Sequence, residues 1–151
     1  MKDFVKVNKL NAKIVSFNRV TGMQSAAKEN NLSVSASTKT NFFLNENSDE
    51  FLIIYSPVLE FDIEKLKELS GSEELSEASE SETFEATGYE KEFLPPIGIY
   101  GLQVYLDKKI SEEKKLIFRI SERKFLIISP EEILDSNENS EIVDLTKPKD
   151  N

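Results

Sequence analysis

Ala78-Ser79-Glu80-Ser81-Glu82-Thr83-Phe84-Glu85-Ala86-Thr87-Gly88-Tyr89-Glu90, followed by Phe93-Leu94-Pro95-Pro96-Ile97-Gly98, is the stretch on which the reading of the fold turns. Its first half sits at the end of a Ser- and Glu-rich run (residues 70–82) that composition alone would assign to disorder. Spacing argues otherwise. Ser79 followed three residues later by Glu82 is a capping box, in which each residue satisfies a free backbone N–H of the other. Phe84 then supplies a helix body and Gly88 a C-cap, which predicts an acidic surface helix over residues 80–86. In the second half, Pro95 and Pro96 restrict the backbone and Gly98 frees it again, so residues 93–98 read as a stiff loop.

Outward from this stretch the chain alternates between short strands and short helices. Residues 13–19 (KIVSFNR) read as a strand, and Thr21 with Gln24 as a capping box opening a short helix through Ala26 and Ala27. Asn30 and Asn31 tolerate the left-handed turn that ends it. Residues 39–44 (KTNFFL) and 51–55 (FLIIY) read as a hairpin across a polar turn. Asp62 is an N-cap, Ile63, Leu66 and Leu69 share one helix face, and Gly71 ends that helix. Residues 101–106, 115–120 and 124–128 are strands, with Ser121-Glu122-Arg123 as the turn between the last two. Ser129, Pro130 and Glu132 open a final helix. About six strands and four helices in this order predict an α/β (mixed α+β) domain, built as a mixed, mostly antiparallel sheet with helices packed on it. Residues 1–135 are expected to form one domain and residues 136–151 a polar, flexible tail, apart from Ile142 to Leu145.

Composition bounds the chemistry. A 151-residue chain that is 38% hydrophobic builds one core, burying about 70% of the surface that the unfolded chain exposes. With no Cys and no His, disulfides, Cys/His zinc sites, thiol nucleophiles and Ser-His-Asp triads are excluded. A net charge of −9 argues against a broad phosphate-binding surface and leaves only narrow nucleic-acid contacts. No stretch is long and apolar enough to span a membrane, and Met1 is not followed by an apolar signal segment. The expected location is the cytoplasm.

Three blocks in order resemble the YbaK/ProX-type aminoacyl-tRNA editing domains. The first is residues 78–98, similar to that family's helix ending in Thr-Gly-Tyr and its proline-containing substrate loop. The second is residues 101–134, where Val-Tyr-Leu-Asp is followed later by Ile-Ser-Pro-Glu-Glu-Ile-Leu. The third is residues 21–44, where Thr21, Ala26-Ala27 and Lys39-Thr40 match a Thr, Ala-Ala, Lys-Thr pattern.

The resemblance implies hydrolysis of the ester that joins a wrong amino acid to tRNA. It implies no metal and no other cofactor, and the acceptor end of an aminoacyl-tRNA as partner, with neither DNA nor membrane. It places the family's functional lysine at Lys39 as the catalytic candidate, and Thr21, Glu92, Pro96 and Gly98 at the substrate. Glu92 falls where the family has a glycine, four residues before Pro96, and residues 118–123 replace a Gly-rich stretch. Those departures leave a second expectation open, an editing fold that binds tRNA, an aminoacyl group or a protein without catalysis. Each candidate also has a plain structural reading. Most lysines at strand ends are solvated, Thr21 serves equally as a cap, Glu92 as a loop carboxylate, and Pro96 and Gly98 as loop formers. Tyr89 reads as a packing residue. Neither the amino acid, the tRNA nor the oligomeric state is legible at this level.

Overall fold

The computed structural model describes residues 12–149. The first eleven residues of the expected domain and the last two of the expected tail lie outside the described residues. In chain order the elements are β1 (Ala12–Ser16), α1 (Met23–Glu29), a 3-10 turn (Val34–Ala36), β2 (Lys39–Asn45), β3 (Glu50–Tyr55) and β4 (Leu59–Phe61). Then come α2 (Ile63–Ser70), β5 (Leu75–Glu77), α3 (Glu80–Thr87), a second 3-10 turn (Lys91–Phe93) and β6 (Gln103–Asp107). The chain continues with β7 (Leu116–Arg119), β8 (Lys124–Ile128), α4 (Pro130–Ser136), β9 (Ser140–Val143) and β10 (Thr146–Pro148).

The central layer is a five-stranded sheet in the order β5-β2-β3-β6-β9. The β2–β3 hairpin pairs Lys39 with Tyr55 and Leu44 with Glu50, whereas β3–β6 and β6–β9 are parallel. A second sheet, β1-β8-β7, is antiparallel throughout, as is the small β4–β10 pair. The mixed, mostly antiparallel α/β architecture is therefore as the sequence predicts.

Alternation along the central strands sends apolar side chains to both faces. Phe42, Leu52, Ile54, Val104 and Leu106 join Leu116, Phe118, Leu126 and Ile128 of the second sheet and Ile133 of α4 in one core cluster. Phe43, Phe51, Ile53, Tyr55 and Tyr105 face the other way, against Leu66 of α2 and Leu145. A third cluster seats α1 on the second sheet. Ala26 and Ala27, both fully buried, contact the surface made by Ile117, Phe125 and Ile127, and their small side chains let helix and sheet approach closely.

The caps explain most helix boundaries. Ser79 and Glu82 form the reciprocal box, and Gly88 closes α3 at φ 80°. The hydrogen bonds that Glu82 accepts from the Ser79 backbone N–H and hydroxyl hold its carboxyl below the usual range. Asp62 caps α2, and Gly71 ends it in the left-handed region at φ 67°. The Ser129 side chain accepts from the Glu132 N–H at the start of α4.

Four expectations need correction. Thr21 is not the cap of α1. Gly22 holds that position without a side-chain bond, because the Thr21 hydroxyl donates instead to the Arg19 carbonyl at 3.0 Å. Leu69 does not share the buried face of α2 and is 44% exposed, so Leu66 anchors the helix. The Ser/Glu run contains a three-residue strand, β5, that adds to β2. The polar segment from 136 onward, read as a tail, carries β9 and β10. Its hold on the domain is Asp107, a fully buried carboxylate that accepts from the Leu145 N–H at 2.8 Å and the Thr146 hydroxyl at 2.9 Å.

Candidate active site

The site begins at a place where two strands part. Ser37 makes an isolated parallel bridge with Ile117, and the Thr38 hydroxyl donates to the Ile117 carbonyl at 2.8 Å. Beyond that bridge β2 and β7 belong to different sheets. The wedge between them opens into a cleft of about 590 Å³, with Thr38, Lys39, Thr40 and Asn41 along one side and Arg119 on the other. Lys91 and Glu92 of the second 3-10 turn complete the wall, together with Glu77 and Glu80. Met23 and the buried Leu94 supply apolar surface.

The wall contributed by β2 is a strand edge that no described residue pairs. In an antiparallel strand, the N–H and C=O of one residue point to the same neighbour, and successive residues alternate sides. The Phe42 carbonyl accepts from Ala78, and the Thr38 N–H is directed at the Met23 sulfur. Even-numbered residues of β2 therefore face away from β3. β5 covers this outer edge only from Phe43 to Asn45. Thr40 is the even-numbered residue between, and its N–H and C=O both face the cleft.

Charge in the cleft is balanced between Lys39, Lys91 and Arg119 and the carboxylates of Glu77, Glu80 and Glu92. Two of the three cations are committed. Lys91 pairs with Glu77 at 3.1 Å. Arg119 donates to the carbonyls of Glu122 and Thr21 and lies over the Phe125 ring, 4.8 Å from its centroid. Lys39 takes part in no ion pair among the described residues, so its ammonium is uncommitted. Beside it, Asn41 is 8% exposed and donates to the Tyr55 hydroxyl at 3.0 Å. Burial raises the pKa of that phenol, which is therefore neutral at physiological pH.

Among the sequence candidates, Lys39 and Glu92 line the same cleft. Thr21 lies one step behind it, buried, its carbonyl held by Arg119. Pro96 and Gly98 are not among the cleft-lining residues. The Pro96 carbonyl accepts from the Asn137 side chain at 2.9 Å, tying the loop to α4, and Gly98 turns the chain at φ 86°. Tyr89 packs against the first core cluster, as read. Sequence reasoning did not assign Arg119, Asn41, Glu77 or Lys91 to the site. The available signal was Arg119, an arginine inside the apolar run KLIFRI. Among the described residues no group of three or more acidic side chains is arranged to hold a metal ion, and no helix is long and apolar enough to cross a membrane.

Comparison with known proteins gives one family and several structures of like fold. The model of the aminoacyl-tRNA editing domain matches residues 18–135. No curated protein sequence matches the chain. Among solved structures, a protein described as hypothetical is 21% identical with a TM-score of 0.83, covering 97% of this chain and 98% of its own. A proposed trans-editing enzyme for prolyl-tRNA synthetase is 24% identical with a TM-score of 0.79, covering 90% of this chain and 87% of its own. A scaffold from computational epitope grafting is 20% identical with a TM-score of 0.85, covering 98% and 95%. At these identities the three likenesses are ones of fold.

Proposed function

The chain belongs to the aminoacyl-tRNA editing domain family, and from that premise we propose that it hydrolyses the ester of mischarged tRNA in trans, in the cleft between β2 and β7. Membership assigns it to aminoacyl-tRNA editing at family level and implies an interaction with tRNA or a tRNA synthetase. The finer reading is carried by one observation: the uncommitted Lys39 ammonium stands next to the open backbone edge at Thr40.

An aminoacyl ester is already reactive, so positioning and charge stabilisation suffice. Water attacks the carbonyl carbon, the bond to the ribose oxygen breaks, and that oxygen takes up a proton. Free amino acid and tRNA result. The Thr40 N–H and the Lys39 ammonium are the donors for the oxyanion. The Thr40 carbonyl and the Glu92 carboxylate are the acceptors for the α-ammonium group of the aminoacyl moiety, which gives the carboxylate at the glycine position a purpose. A cytoplasmic location is part of the same reading.

One observation favours a second reading, binding without hydrolysis: three carboxylates share the cleft with three cations in a protein of net charge −9. A panel of mischarged tRNAs incubated with the wild-type protein separates the two. Release of the amino acid above the buffer rate for at least one tRNA is expected. Stable retention of every ester, with or without binding, contradicts the enzymatic reading.

A further inference from the structure

We propose that the groove beside the cleft, between α3 and residues 90–92, seats an unpaired nucleobase bearing an exocyclic amino group, stacked on Phe84. The proposal rests on the editing reading and extends it to the nucleic-acid half of the substrate.

Phe84 belongs to none of the three core clusters. The residue that α3 buries is Thr83, and Phe84 is 57% exposed on a helix otherwise rich in glutamate. It nevertheless lines a groove of about 390 Å³ with Glu80, Ser81, Glu90, Lys91 and Glu92. Glu80 and Phe84 stand one turn apart and share a helix face. Glu80, Lys91 and Glu92 also line the neighbouring cleft, so the groove adjoins the cleft across these three side chains, within reach of one extended ligand.

The chemistry of the groove selects its occupant. An aromatic face exposed beside a binding cleft is a stacking platform for a base. The charged rim disfavours phosphate: Glu80, Glu90 and Glu92 carry negative charge, and the one cation, Lys91, is already paired with Glu77 at 3.1 Å. Carboxylates are acceptors, and they suit a base edge that presents an amino group. Aminoacyl-tRNA meets both requirements. Its ester sits on the terminal ribose, so the base on that same sugar lies next to whatever holds the ester. All three bases of the unpaired C-C-A end carry exocyclic amines.

The test is equilibrium binding of uncharged tRNA at fixed, low salt, which needs no hydrolysis. Phe84→Ala is expected to weaken binding about tenfold, in line with the loss of one base–aromatic stack, and Phe84→Trp to restore it. Replacing the terminal adenosine by inosine, which lacks the amino group, is expected to weaken wild-type binding and to leave the Phe84→Ala protein little changed. Because Phe84 is exposed, the variants are expected to melt at the wild-type temperature. Undetectable binding by the wild type, equal binding by wild type and Phe84→Ala, or indifference of the wild type to the inosine change overturns the proposal. Phe84-dependent binding by a protein that leaves every mischarged tRNA intact supports the platform and sinks only the enzymatic reading.

Discussion

Replacing Lys39 by alanine is expected to slow single-turnover deacylation at saturating substrate about 100-fold, the usual cost of losing one oxyanion donor. The magnitude follows from where the lysine stands. It is the cleft cation with neither an ion pair nor a side-chain hydrogen bond among the described residues, whereas Lys91 is held by Glu77 and Arg119 by two backbone carbonyls. Its alkyl stem starts at the first residue of β2 and is exposed, so the substitution removes little packing and leaves the fold intact. An effect on rate with little change in apparent affinity marks an interaction made in the transition state. Lys39→Arg keeps the charge but moves it and is expected to recover only part of the rate. Equal rates for wild type and Lys39→Ala would remove Lys39 from the chemistry.

The largest effect on stability is expected at Asp107. Asp107→Ala strands the Leu145 N–H and the Thr146 hydroxyl, both buried and, among the described residues, both donating to this carboxylate. Each buried polar group left without a partner costs about 1–3 kcal/mol, so a loss of about 3 kcal/mol in urea unfolding is expected. Asp107→Asn keeps an acceptor oxygen and is expected to lose less. The damage should centre on the C-terminal segment: the backbone of Asp62 donates to the Leu145 carbonyl at 2.8 Å, and β10 pairs with β4 through Thr146 and Phe61. Hydrogen exchange that speeds up first around residues 143–148 is the matching local signature. An unfolding midpoint unchanged from wild type would contradict the account of how this segment is held.

What sequence reasoning could and could not reach divides along physical lines. The helices with side-chain caps were legible because their signals are local. Ser79 with Glu82, Asp62 with Gly71, and Ser129 with Pro130 each act within a few residues. The β2–β3 hairpin was legible because a polar turn separates two apolar runs. Thr21 misled because a threonine hydroxyl has several nearby backbone partners, and here the Arg19 carbonyl won. β5, β9 and β10 were illegible for a different reason. Strands of three or four residues of mixed polarity are too short to carry a periodicity of their own and exist through their partners, β2, β6 and β4.

The candidate site follows the same division. Lys39 and Glu92 were reachable through a family resemblance, and both stand at the cleft. The feature that makes the cleft usable, an unpaired edge at Thr40, depends on β5 stopping at a residue paired with Phe43 and on β7 parting from the segment before β2 after one bridge. No spacing within the chain encodes either. Arg119 was visible only as an arginine in an apolar run that departs from a Gly-rich pattern. Its function in the fold, bracing Thr21 against β7, required three dimensions.

The aminoacyl end of the substrate is expected to lie against the β2 edge. The most direct measurement is backbone NMR during titration with an amide-linked, hydrolysis-resistant aminoacyl-adenosine. The expected result is that the largest shift changes fall on the amides of residues 38–41 and 91–92, and that exchange of the Thr40 amide slows as its N–H gains a partner. Shift changes confined to another surface, such as the groove around Gly101 and Asn139, with the Thr40 amide unaltered, would contradict it.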